Sequence, residues 1–356
     1  MIGEKELIKM KRVFTIFLCF LMLFGLALPA FAVSLNDGNG ALNAQFLDGV
    51  NSKGQDYVYY SPVKGAADEN KYPLFIWLHG AGSGGEKRQQ IAWYDIVRFA
   101  SDEYQRRFSQ GGCYVLAPRD PGVVMSSWEA NDTSTLKTTI DDFIQSQNGH
   151  VDMDRIYISG YSTGGSMVWN MATAYPNFFA AVIPGSALLQ PSTSAMQLLK
   201  DVSVWIFCCN KDPYVSAQTV SAKPVFNALK SVTNRPEGVR ISEFSQAVLP
   251  DYSKKHENGA VAWDCEHYTW MAITNDMHMY DGSVYAYQKT TDGTGKTISF
   301  PSEGGFISWL TQQHRTTDNS SSGGKSKNVF SIVFGYIRSF FIRTFSVIRG
   351  LFTFSR

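Results

Sequence analysis

From about residue 56 to about residue 314 the apolar positions alternate between two patterns. Short β-rich runs recur at Tyr57–Tyr60, Leu74–Leu78, Tyr114–Ala117, Arg155–Ser159, Ala181–Ile183 and Val202–Phe207. Between them the apolar residues repeat at helical spacing over Glu86–Arg107, Leu136–Ile144, Thr163–Ala174 and Ala217–Leu229, with a last such stretch at Gly304–Gln313. A strand that is apolar at consecutive positions is buried on both faces. Such strands alternating with helices predict an α/β fold, a mostly parallel central sheet with helices on both sides. Residues 275–300 are polar and Gly-rich and read as an excursion inserted before the last helix.

The two ends obey other rules. Lys9, Lys11 and Arg12 precede an apolar run from Val13 to Leu28, and Pro29-Ala30-Phe31-Ala32 supplies small residues for cleavage. That is the three-part pattern of a secretory signal over residues 1–32. The run is shorter than the ~20 residues of a membrane span. Thr316–Lys327 has the composition of a flexible linker. Asn328–Arg356 holds regularly spaced Arg with many Phe and Ile and no acid. Wound on a helix, Ser331, Gly335, Arg338, Ser339, Arg343, Ser346, Arg349, Gly350, Thr353 and Arg356 share one arc and ten large apolar residues the opposite side, with Ile342 as the clear exception, which predicts a basic amphipathic helix lying on a membrane surface. The expected plan is a signal (1–32), one large domain (33–315), a linker (316–327) and the basic helix (328–356). The expected address is outside the cell, with peripheral membrane association through the last segment.

Charge sharpens this plan. The chain carries +1 overall, yet residues 1–32 carry +2 and residues 325–356 carry +6, which leaves the body at −7. An acidic body argues against nucleic acid as a partner. Beyond the signal four cysteines remain, Cys113, Cys208, Cys209 and Cys265, without the spacing of a zinc site. In a strand, Cys208 and Cys209 point to opposite faces. No metal or organic cofactor is expected.

The chemistry gathers at Gly160-Tyr161-Ser162-Thr163-Gly164, a G-x-S-x-G run with a strand directly before it and a helix directly after. At this sharp turn a serine occupies a strained conformation above the carboxyl edge of the sheet, and the unpaired N–H groups of the helix start favour developing negative charge. Ser162 is therefore the expected nucleophile and the Thr163 N–H one oxyanion donor. The strand Leu74–Leu78 runs into His79-Gly80-Ala81-Gly82, an H-G-x-G loop that supplies a second donor, Ala81 or else Gly82. His79 reads as a brace for this loop, next to a substrate pocket. In the chain order Ser, acid, His, the acid falls at Asp212, just beyond the strand Val202–Phe207. For the base, among His256, His267, His278 and His314, the spacing favours His267 modestly, with His278 as the runner-up.

These stretches resemble secreted α/β-hydrolases of the predicted-peptidase, carboxylesterase and polyhydroxybutyrate-depolymerase-like group, which includes feruloyl- and acetyl-esterase-like enzymes. The likeness rests on Tyr72–Gly82, on Ala117-Pro118-Arg119 followed by Trp128, on Val151–Gly165, on Val204–Phe207 with Lys211-Asp212-Pro213, and on His267-Tyr268-Thr269-Trp270. It spans roughly residues 55–315. It implies the α/β-hydrolase fold, and it selects His267 as the base. The sequence departs from the pattern at Thr163, where the group usually has Met, at Cys208-Cys209, and in the longer 275–300 region. The implied reaction is hydrolysis of a carboxylic ester through an acyl-enzyme, with polysaccharide-linked or polymeric esters as candidate substrates. Trp128 and Trp270 are expected to wall the pocket. A serine peptidase on the same triad and a catalytically silent cell-surface binding protein are the alternatives.

Overall fold

The computed structural model describes residues 38–65, 67–83, 88–92, 94–120, 128–210, 212, 214, 218–244, 267–274, 276, 287–298 and 305–315. The expected signal, linker and basic helix lie outside these residues, as does Cys265. The chain divides between Arg315 and Thr316, and the second unit is wholly outside the described part.

Strands β1 (Leu47–Val50), β2 (Asp56–Tyr60), β3 (Tyr72–Leu78), β4 (Tyr114–Pro118), β5 (Val151–Tyr161), β6 (Ala181–Gly185), β7 (Ser203–Cys209), β8 (Val239–Phe244), β9 (Tyr287–Asp292) and β10 (Thr297–Ile298) form one sheet. Its order is β1-β2-β4-β3-β5-β6-β7-β8-β9-β10. The six strands from β4 to β8 in this order are parallel, and antiparallel pairs close each edge. After β3 the chain places β4 on one side and then crosses to place β5 on the other. In open α/β sheets, the crevice at the carboxyl ends beside such a reversal is where ligands bind. The loops that leave β3 and β5 there carry His79–Gly82 and Ser162.

Both faces of the sheet are buried, which is why the strands read as continuous apolar runs. Leu74, Ile76 and Leu78 of β3 join Ile156, Ile158, Val204 and Ile206 beneath three helices. These are α1 (Thr133–Ser146), α2 (Thr163–Ala174) and α3 (Gln218–Val232). Phe75 and Trp77 point the other way and join Tyr157, Trp205 and Phe207. That face is covered by the 96–108 region and by the short helices α4 (Trp270–Thr274) and α5 (Phe306–Leu310). Phe75 stacks on Phe99 at 4.4 Å, and Trp205 meets Trp309 edge-on at 5.1 Å. Cys208 and Cys209 fall in opposite cores, and burial raises the Cys208 thiol well above its usual pKa.

The structure departs from expectation in two regions. Glu86–Arg107 is not one helix: helical turns at Gln89–Ala92 and Asp102–Gln105 flank a 3-10 segment at Ile96–Ala100. Asp95 turns left-handed with φ 54°, and Ser101 is extended and accepts the Tyr104 N–H, starting a new turn. In the 275–300 region, β9 and β10 extend the sheet. The sequence Tyr-Gln-Lys-Thr-Thr-Asp looks solvated, yet the Thr290 hydroxyl is buried 2.6 Å from Ser242 Oγ, which also accepts the Trp205 indole N–H at 2.8 Å. Pairing removes the cost of burying a hydroxyl, so the strand tolerates it.

One cluster fastens the segment that follows His267. Buried Asp276 receives Arg107 in a close ion pair and accepts the Ile307 N–H at 3.2 Å, at the start of α5. Nearby, Tyr104 Oη donates to the Thr274 carbonyl at 3.1 Å. Asp276→Ala leaves a guanidinium and an N–H without this acceptor, a loss worth about 3 kcal/mol. Urea denaturation followed by circular dichroism is expected to show that drop, and a change below ~0.5 kcal/mol would count against the clasp.

Candidate active site

Ser162 stands between β5 and α2 with φ 59° and ψ −118°, a conformation that side chains rarely adopt. Its N–H donates to the Gly185 carbonyl at 2.9 Å, which fixes the turn to the end of β6. The flanking glycines explain how so sharp a turn packs. A Cβ on Gly160 would lie 2.7 Å from the Gly164 backbone, and one on Gly164 would collide with the carbonyls of Leu78 and His79. The start of α2 therefore rests directly on the end of β3.

From Ser162 a relay of hydrogen bonds runs through the described residues. Ser162 Oγ is 3.0 Å from His267 Nε2, and His267 Nδ1 is 2.7 Å from Asp212 Oδ2. Ser162, His267 and Asp212 are 7%, 5% and 2% exposed, so the relay is shielded from bulk water. Asp212 Oδ1 also accepts the Tyr214 N–H at 3.0 Å, which sets the carboxylate plane. A carboxylate on Nδ1 fixes that nitrogen as the proton carrier and leaves Nε2 as the acceptor facing the serine. The fold thus brings together three residues separated by 50 and 55 positions in the chain. The runner-up base, His278, lies outside the described residues.

The loop after β3 is held from behind. His79 is fully buried, with Nε2 accepting the Asp120 N–H at 3.1 Å and Nδ1 donating to the Gly80 carbonyl at 2.7 Å. Burial lowers its pKa from 6.5 to about 4, so the ring is neutral at pH 7. The Trp128 indole N–H donates to the His79 carbonyl at 3.0 Å. Tyr94 Oη accepts the Gly80 N–H at 3.2 Å and pairs closely with Ser83 Oγ. Burial pushes the Tyr94 phenol up to about 12. Among the described residues, the N–H groups of Ala81, Gly82 and Thr163 make no hydrogen bond with protein. These are the three donors expected to face an oxyanion.

The expectation that His79 borders a substrate pocket is corrected. With no exposed surface and both nitrogens committed to backbone, it braces the loop from within. Trp128 and Trp270 keep only 6% and 5% of their surface. Trp270 meets Tyr94 edge-on at 5.3 Å, which links α4 to the loop brace. Sequence reasoning did not single out Tyr94, Tyr161 or Tyr214 for this site, nor the Ser186–Thr269 hydroxyl pair (2.8 Å) that ties the His267 segment to β6. For Tyr161 and Tyr214 the available signal was an aromatic beside Ser162 and one two residues past Asp212. No three His, Cys, Asp or Glu side chains among the described residues group so as to hold a metal ion.

Neutral His79 links stability to pH. Between pH 6.5 and about 4 the unfolded imidazole binds a proton that the folded one refuses. Its contribution is full above pH 6.5 and is lost as the pH falls to about 4, a change of roughly 3 kcal/mol. Urea midpoints between pH 7 and pH 4 are expected to fall more steeply for the wild type than for His79→Gln; equal slopes would contradict a buried neutral ring.

Residues 124–206 match the model of the prolyl oligopeptidase family. A bifunctional acetylxylan esterase/xylanase of Neocallimastix patriciarum is 29% identical over 136 residues, 37% of this chain and 18% of that protein. A thermostable esterase of known structure superposes with TM-score 0.56 and 24% identity, over 77% of this chain and 64% of its own. The chain thus spans less than two thirds of either relative. The sheet order and this superposition agree on the architecture: the chain has the α/β-hydrolase fold.

Proposed function

We propose that the protein is a serine hydrolase that cleaves carboxylic esters. The observation that carries this reading is the relay from Ser162 Oγ through His267 to Asp212. Ser162 Oγ attacks the ester carbonyl as His267 Nε2 takes its proton, and Asp212 stabilises the resulting imidazolium. The oxyanion is received by the N–H of Thr163 and of Ala81, with Gly82 as the neighbouring donor. His267 then protonates the leaving alcohol, and water attacks the acyl-enzyme by the same path in reverse. The name of the Neocallimastix relative supports acyl groups on polysaccharide as the substrate class. The match to the prolyl oligopeptidase model supports a second reading, peptide hydrolysis, although the matched residues end before Asp212 and His267. Export through residues 1–32 and retention at a membrane surface through residues 328–356 complete the proposal, on the strength of the charge and apolar patterns.

A fluorophosphonate probe is expected to label Ser162 in the wild type and to leave Ser162→Ala unlabelled, with kcat down at least about four orders of magnitude. Undiminished turnover in the alanine variant would falsify the assignment. A panel of acetyl, feruloyl and peptide amide substrates separates the two readings by their kcat/KM. Deleting residues 328–356 is expected to release the enzyme from anionic vesicles with kcat unchanged; equal vesicle recovery after deletion would refute the tail's role.

A further inference from the structure

Both nitrogens of His267 are committed to hydrogen bonds, and two tyrosine rings from different elements pack on the imidazole. Tyr161, at the end of β5, has its ring centre 4.8 Å away at an interplanar angle of 53°. Tyr214, two residues beyond Asp212, lies 4.9 Å away at 57°. Aromatic faces carry negative quadrupolar charge, and a cation within about 6 Å of a ring centre is attracted to it. With His267 as general base, the imidazole becomes such a cation when it takes the serine proton.

We propose that Tyr161 and Tyr214 are positioning residues that favour the imidazolium form of His267 in the transition state, with Tyr214 as the adjustable member. The inference rests on the reading of His267 as general base. The two rings differ in what else they do. Tyr161 is 6% exposed and fills the space beside Gly80, where a Cβ would lie 2.8 Å from its ring, so its removal disturbs the oxyanion loop as well. Tyr214 is 41% exposed. Its link to Asp212 is made by the backbone N–H, which survives any change of side chain except proline. Tyr214 is therefore the residue at which the ring effect can be isolated. Among the described residues, the groups around His267 that can ionise are Asp212, Ser162, Tyr161 and Tyr214, with Tyr268 next in the chain and 6.3 Å from Tyr161.

The test is steady-state hydrolysis of p-nitrophenyl acetate by the full chain from pH 5 to pH 9, for wild type and for Tyr214→Phe, Tyr214→Trp and Tyr214→Leu. Phe and Trp keep an aromatic face, and their kcat is expected to stay within about twofold of wild type. Leu removes the face: kcat is expected to fall roughly three- to fivefold with KM little changed, and the acid limb of the kcat/KM profile to move about half a unit lower. Fluorophosphonate labelling of Ser162 in each variant reports whether the site is intact. If labelling fails in the wild type, the triad reading and the inference fall together. If labelling persists but Leu raises KM at unchanged kcat with an unmoved limb, the ring is a substrate wall and only the inference falls. A loss in the Phe variant equal to that in the Leu variant would assign the effect to the hydroxyl and likewise overturn it.

Discussion

The close approach of helix α2 to the end of β3 is the constraint on which the site depends. It requires backbone, not side chain, at Gly160 and Gly164, because a methyl group at either would meet neighbouring main chain. The approach forces Ser162 into a positive φ, a strain on the order of 1–3 kcal/mol that the surrounding packing must offset. In return Ser162 stands at the head of a helix, beside the loop that leaves β3. One contact therefore sets the position of Ser162 relative to the N–H groups of Thr163, Ala81 and Gly82. The bond from Ser162 N–H to Gly185 brings β6 into the same unit.

Around this contact the polar groups are divided by role. Those that hold the frame are saturated: His79 uses both nitrogens, Trp128 donates to the loop, and Tyr94 takes the Gly80 N–H. Among the described residues, the N–H groups of Ala81, Gly82 and Thr163 have no protein acceptor. An electrostatic site is effective when its donors are fixed before charge develops, so that no reorganisation is needed during the reaction. Saturating the brace while sparing the donors meets that condition with neutral groups.

Much of this was legible in the sequence because the fold writes both its faces into the strands. Leu74–Leu78 could be read as a buried strand since its alternate residues enter two different cores. The bounds of α2 were readable from the G-x-S-x-G run at its start and Pro176 beyond its end. Asp212 followed from its place after β7, whereas choosing His267 over His278 needed a family resemblance. A histidine's neighbours in space are set by a loop that carries no period. The broken 86–107 segment and β9 escaped for a related reason. Asp95 and Ser101 interrupt a helical repeat that propensity alone would continue, and Thr290 hides its hydroxyl in a pair with Ser242, a partner 48 residues away.

The Asp276 clasp bears on the order in which the molecule comes apart. Ser162 directly follows β5 and Asp212 lies three residues beyond β7, both central strands, while His267 belongs to a short segment whose ties among the described residues include Ser186–Thr269, Tyr104–Thr274 and Arg107–Asp276. Segments held by a few local ties open at lower free energy than the sheet they dock on. If that segment opens first, the relay from Ser162 to Asp212 parts at His267 while the central strands keep their hydrogen bonds.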